Sequence, residues 1–172
     1  MTVLLLTGPP GAGKSTVARL LVQGWGRALH LHTDDFFAWI ASGYVPPWLP
    51  ESQEQNEVVT EAIVGVADRF AAAGYAVVVD GIVGPWFLDG WRALDRPVGY
   101  VVLRPSLPAT EARAAARVDH PLQDLDVVTQ MHAAFADLGD LEPHVIDSTD
   151  LTAEATAAAV RQRLDAGELT LE

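Results

Sequence analysis

Gly8-Pro9-Pro10-Gly11-Ala12-Gly13-Lys14-Ser15 is a complete G-x-x-x-x-G-K-[ST] stretch, and its flanks decide how it is read. Val3-Leu4-Leu5-Leu6 before it is a short apolar run suited to a buried parallel strand. Thr16 to Gln23 after it reads as a helix, with Val17, Leu20 and Leu21 on one face. Strand, glycine loop and helix in that order make a phosphate-binding unit. The glycines let successive backbone N–H groups turn inward on phosphate oxygens, and the helix start adds unpaired N–H groups and a positive dipole end. Gly8, Pro9, Pro10, Gly11, Ala12, Gly13, Lys14, Ser15 and Thr16 are the nucleotide-binding candidates. Lys14 is expected to reach the β- and γ-phosphates and Ser15 to place its hydroxyl on Mg²⁺. Lys14 is the only lysine of the chain, so the loop has no substitute for it.

The 172 residues fit one domain, 1–172, with a proper core, and 49% hydrophobic content speaks for a globular chain. A net charge of −12 argues against broad contact with nucleic acid, which needs a basic surface, but leaves room for one nucleotide in a local positive pocket. The chain has no cysteine, hence no disulfide frame and no thiolate zinc site. The N-terminal apolar run is too short to span a membrane and lacks the basic start of a signal peptide, so a cytoplasmic location is expected. Oligomeric state is not legible.

Ala28 to Thr33 reads as a second strand, ending in Asp34-Asp35-Phe36-Phe37. Ligands of open α/β sheets sit beyond the carboxyl ends of the strands, which makes this acid pair a functional candidate. Adjacent acids on extended backbone face opposite ways, so one can face the site and the other cap the next helix; Asp34 is preferred for the site. From Trp39 to Pro50, Pro46, Pro47 and Pro50 forbid a regular helix. The aromatics there, Trp39, Tyr44 and Trp48, either line a substrate pocket or plug the loop onto the core. Ser52 with Gln55 forms a capping-box pattern ahead of a long helix carrying Val59, Ile63, Val66 and Phe70 and stopped by Gly74.

Tyr75 to Asp80 is a third, buried strand. An acid at its tip beside a phosphate loop, Asp80 before Gly81, is the expected second Mg²⁺ anchor. Trp86, on the short helix opened by Pro85, either touches substrate or packs into the core. Val98 to Leu103 is a fourth strand. Arg113 and Arg117 follow on one face of a helix running from Leu107 to Val118, and one of them is expected to neutralise the moving phosphate. His120 and His132 lack a partner at metal spacing and read as structural or surface residues. His144 to Asp147 is a fifth strand, Thr152 caps a final helix stopped by Gly167, and Asp165 to Glu172 reads as a loose tail or short edge segment. Strands alternating with helices predict one five-stranded parallel sheet covered on both faces, an α/β three-layer architecture with Ser15, Asp34 and Asp80 on one rim.

These motifs together resemble the P-loop kinases of the adenylate kinase-like group, and within it the chloramphenicol phosphotransferase-like small-molecule kinases. The resemblance implies ATP and Mg²⁺ as cofactors and a γ-phosphate moved to a hydroxyl of a small molecule, such as an antibiotic. By the same resemblance Asp34 is the catalytic base, assisted by Lys14 and by Arg113 or Arg117. Asp35, Asp80 and Trp86 join Asp34 around the substrate, and the Asp147-Ser148-Thr149 turn lies near the adenine. The adenylate kinase arginine after Asp-Gly-x-Pro is missing, since Ile82-Val83-Gly84-Pro85-Trp86 stands there, which argues against a nucleoside monophosphate acceptor. A nucleoside or nucleotide kinase and a P-loop ATPase without a small-molecule acceptor are the alternatives.

Overall fold

The computed structural model describes residues 3–116 and 125–172. Arg117 and His120 therefore lie outside the described residues, as does the end of the helix expected to reach Val118.

Five parallel strands form the sheet, in the order β2-β3-β1-β4-β5. They are β1 (Val3–Thr7), β2 (Ala28–His32), β3 (Ala76–Asp80), β4 (Val98–Leu103) and β5 (Val145–Ile146). The helices are α1 (Lys14–Val22), α2 (Thr33–Ala38), α3 (Gln53–Ala72), α4 (Asp89–Arg92), α5 (Leu107–Ala115), α6 (Leu125–Ala133) and α7 (Ala153–Asp165). Strand side chains alternate between faces, and that period builds two cores from one apolar run. Leu4 and Leu6 of β1 join Val17 and Leu21 of α1 and Val160 of α7 on one face. Val3 and Leu5 join Val59 and Ile63 of α3, Trp91 of α4 and Phe135 on the other. Both faces of β1, β3 and β4 are covered, which is why these strands read as unbroken apolar runs.

The register puts the tips of β1, β2 and β3 level. Leu6 pairs with Asp80, and His32 pairs with Asp80 from the other side. Beyond that rim the chain turns differently from the sequence expectation. β2 stops at His32, and Asp34 and Asp35 occupy the first turn of α2 instead of extended backbone. Neither caps that helix: its N-cap is His32, with no side-chain capping bond. The capping box at Ser52 and Gln55 does not form either. A short 3₁₀ turn, Pro50–Ser52, leads directly into α3, so Ser52 is already helical. Its hydroxyl donates instead to the carbonyls of Pro47 and Leu49 (2.9 and 2.7 Å). Gln55 receives the Val45 N–H and donates to the Val45 carbonyl (2.9 and 2.7 Å), and Asn56 Nδ2 donates to the Pro47 carbonyl (2.8 Å). The proline loop is thus clasped to the start of α3 by side chains.

β5 is shorter than the expected 144–147, only two residues long. The C-terminal segment covers the rest of that edge. Tyr100 N–H donates to the Leu169 carbonyl and Leu171 N–H to the Val98 carbonyl (both 2.8 Å), antiparallel to β4. Leu169 and Leu171 alternate into the two cores, so the last residues form an edge segment and leave no open ladder on that half of β4. Thr152 caps α7 by accepting the Ala155 N–H (3.1 Å), as expected. No helix among the described residues is long and apolar enough to cross a membrane.

Candidate active site

The loop between β1 and α1 is shaped by three glycines at positive φ: Gly8 (138°), Gly11 (86°) and Gly13 (91°). Two of them are also fixed by close approach. A Cβ on Gly8 would sit 2.1 Å from the Leu103 carbonyl oxygen, and one on Gly11 would sit 2.5 Å from that of Thr110. Gly8 therefore lets the loop lie on the end of β4, and Gly11 lets it lie on α5. Gly13 opens α1 in the left-handed conformation with no side-chain cap, so the first N–H groups of α1 are left for an anion. Lys14 folds back over the loop, its Nζ donating to the carbonyls of Gly8 and Pro9 (2.9 and 3.0 Å).

Asp80 is fully buried at the tip of β3. His30 Nε2 donates to its Oδ1 (2.7 Å), and His32 Nε2 stands 3.9 Å from its Oδ2. Burial alone would push the Asp80 carboxyl up. The His30 hydrogen bond, the Ser15 hydroxyl and the charges of His32 and His30 outweigh it and hold the carboxyl below its usual range. Ser15 is close enough to lower that pKa, yet among the described residues no hydrogen bond reaches Oδ2. A buried carboxylate oxygen with open lone pairs beside a serine hydroxyl is a hard oxygen donor pair. It fits Mg²⁺, which takes one or two protein oxygens together with phosphate and water.

Close packing carries this edge over to Asp34. A Cβ on Gly81 would fall 1.9 Å from Thr33 Oγ1, so the turn after β3 rests directly on the residue before Asp34. The Gly81 N–H donates to the Leu6 carbonyl (3.3 Å) and the Val83 N–H to Thr7 Oγ1 (2.8 Å), while the Tyr100 hydroxyl donates to the Val83 carbonyl (3.0 Å). The segment carrying Ile82 and Val83 is thereby bolted to β1 and β4.

Next to this edge lies a cavity of about 750 Å³. Asp34, Asp35, Thr33 and His32 line one part of it. Phe37, Ile40, Ile63, Ile82, Val83 and Phe135 supply apolar wall, and Trp86 and Tyr44 line it while remaining about half exposed (54% and 47%). The aromatics of the proline loop divide. Tyr44 and Trp48 line the cavity, whereas Trp39 lies outside it, 71% exposed with its ring 4.5 Å from that of Phe36. Burial and the charge of Asp34 both push the Tyr44 phenol up. His32 belongs to the cavity wall and stands beside Asp80, so cavity and phosphate loop share one border.

On the opposite side, Arg113 Nη2 donates to the carbonyls of Ser148 and Thr149 (both 3.0 Å). Asp147 Oδ1 accepts the Thr149 hydroxyl and N–H (2.5 and 2.9 Å), which hold its carboxyl below the usual range. Arg113 thus holds the 147–149 turn against α5. His132 Nε2 donates to the Pro105 carbonyl (2.9 Å), a structural role.

Sequence reasoning passed over His30 and His32. The sequence shows only that they share a face, as residues i and i+2 of a strand; the register is what sets them beside Asp80. It also missed Asn56, whose side chain ties the proline loop to α3 at the cavity wall.

The fold matches solved structures at low identity, kinases among them. A sugar kinase from Janibacter sp. HTCC2649 aligns with a TM-score of 0.73 and 19% identity, over 96% of this chain and 95% of its own. The tunicamycin resistance protein of Deinococcus radiodurans aligns at 0.71 and 13%, over 100% and 99%. Shikimate kinase from Bacteroides thetaiotaomicron aligns at 0.71 and 17%, over 95% and 98%. These likenesses establish the α/β fold of P-loop kinases, with its five-stranded parallel sheet between helices. Residues 3–138, from the first strand past the cavity wall, match the family model described as AAA domain, and the chain belongs to that family.

Proposed function

We propose that the protein is an ATP-dependent phosphotransferase that moves the γ-phosphate of ATP to a hydroxyl of a small, largely apolar molecule. The observation that carries this reading is the shared border at His32: a roomy apolar cavity on one side, a phosphate loop with a buried acid on the other. A kinase needs such a border, since the acceptor oxygen must sit in line with the terminal phosphate.

In this reading the loop amides and Lys14 hold the phosphates, and Lys14 leaves the Gly8 and Pro9 carbonyls to do so. Ser15 and Asp80 would hold Mg²⁺, which when bound neutralises charge on the phosphate oxygens. Asp34 accepts the acceptor's hydroxyl proton and orients its oxygen. It is exposed at the cavity, so substrate can reach it without displacing core. Arg113 serves the site by holding the 147–149 turn beside the nucleotide, and Arg117 joins Lys14 and the amides in neutralising the moving phosphate. Asp35 and Trp86 contact the acceptor.

The narrower reading, an antibiotic kinase similar to chloramphenicol phosphotransferases, is supported by the apolar lining and by fold likeness to a tunicamycin resistance protein. A nucleoside monophosphate acceptor fits less well, because no lysine or arginine lines the cavity among the described residues. The test is a panel of hydroxylated compounds incubated with MgATP, read by ADP formation and by product mass. The reading predicts acceptor-dependent ADP and a product heavier by one phosphoryl group. Steady release of inorganic phosphate, unaffected by any alcohol, would replace it with a P-loop ATPase.

A further inference from the structure

The cavity combines two properties that pull towards one kind of occupant. Its wall is mostly aromatic and aliphatic, and it carries two carboxylates, Asp34 and Asp35, with no lysine or arginine among the described lining residues; the His32 imidazole on the same wall is turned to Asp80, 3.9 Å away. Three arginines of the surrounding elements are committed elsewhere. Arg92 donates to the Glu172 carbonyl (2.7 Å), Arg96 pairs with Asp68 (2.7 Å), and Arg104 holds Glu142 through two bonds of 2.8 Å.

The field of these acids is felt inside the cavity, since the Asp34 charge, together with burial, raises the Tyr44 phenol. An anionic acceptor would bring a like charge next to Asp34 and Asp35 with no lysine or arginine among the described lining residues to offset it, and would leave water to do so. A neutral acceptor meets no such penalty. An ammonium group beside the reacting hydroxyl gains, because the two carboxylates are adjacent on the first turn of α2. Asp34 can take the hydroxyl while Asp35 faces the ammonium.

We infer that the acceptor is an aryl or alkyl amino alcohol: a cationic amphiphile whose apolar body fills the cavity and whose ammonium group is recognised by Asp35, while hydroxy acids and phosphorylated alcohols are rejected. The inference rests on the proposed phosphotransferase site and names its substrate class.

Three biphenyl ethanols that differ only at the benzylic carbon test it, carrying an ammonium group, a hydrogen or a carboxylate there. Binding is measured by calorimetry without nucleotide, with quenching of tryptophan fluorescence as a second readout, since Trp48 and Trp86 line the cavity. The ammonium compound should bind at least about tenfold more tightly than the carboxylate, with the neutral compound between them, a spread of about 1.4 kcal/mol or more. Asp35→Asn should bring the ammonium and neutral compounds to within about twofold of each other, chiefly by weakening the ammonium compound. The inference is overturned if the carboxylate binds as well as the ammonium compound, if the preference survives Asp35→Asn, or if none of the three binds. Phosphorylation is assayed separately with MgATP. A correct order of affinity without phosphoryl transfer would leave the cavity assignment standing and remove the kinase reading. Transfer to hydroxy acids would do the reverse.

Discussion

The phosphate loop and the cavity beside it meet at one border but are built on opposite principles. The loop is eight contiguous residues whose shape is set by backbone: three positive-φ glycines, two of them pressed against carbonyl oxygens of β4 and α5. The cavity is gathered from α2, the proline loop, α3, the turn after β3 and α6, and its shape is set by side chains. Backbone cradles bind what every nucleotide shares, its phosphates. Side-chain walls bind what differs between acceptors. The comparison teaches that the reaction type is carried by the part with the least freedom, and the substrate by the part with the most.

Substitutions should separate the two regions, and the largest effect belongs to the loop. Lys14→Ala removes the only lysine of the chain and should lower kcat/KM by about a hundred- to a thousandfold. MgATP affinity should fall with it, measured by steady-state kinetics and calorimetry. Gly11→Ala should destabilise by about 1–3 kcal/mol, because a Cβ meets the Thr110 carbonyl at a φ of 86°. Denaturant unfolding reads that loss. Gly65→Ala is its control: this glycine lies within α3 with nothing within 4 Å of an added Cβ, and the change should stabilise by about 0.5–1 kcal/mol. Equal effects at Gly11 and Gly65 would break the claim that the loop is held by backbone contact.

On the cavity side, Trp86→Ala should raise the acceptor KM about tenfold while MgATP affinity stays within about twofold, since its half-exposed ring lines the cavity and not the loop. A parallel loss of nucleotide affinity would mean that the two regions are not separable. The smallest effect belongs to neither: Thr152→Ala removes the cap of α7 and should lower stability by about 1 kcal/mol without changing kinetics.

What was legible from sequence follows the same division. The loop could be read because its residues are neighbours in the chain and each has a local reason to be there. The sheet could be read because β1, β3 and β4 are covered on both faces and so lack polar interruptions. Asp34 could be singled out, but not its backbone. The chain passes from strand to helix at His32 without a capping side chain, and no local signal marks that change. The Ser52 and Gln55 pattern misled for a similar reason. Both side chains answer to a loop several residues earlier, and tertiary hydrogen bonds to Pro47, Leu49 and Val45 displaced the local cap. His30 and His32 mattered only once the register set β2 beside Asp80. The role of Arg113 turned on the fold as well, because its partners, Ser148 and Thr149, are more than thirty residues away.

The most direct test of the account separates holding ATP from using it. Wild type and Asp34→Asn are compared in one titration of MgATP and one assay of phosphorylated acceptor. The account predicts that the variant keeps its MgATP affinity within about twofold and loses transfer by about a hundredfold or more. Near-normal transfer in the variant, or MgATP affinity lost along with it, would contradict the placement of Asp34 as the acid that receives the acceptor's proton at the border of cavity and loop.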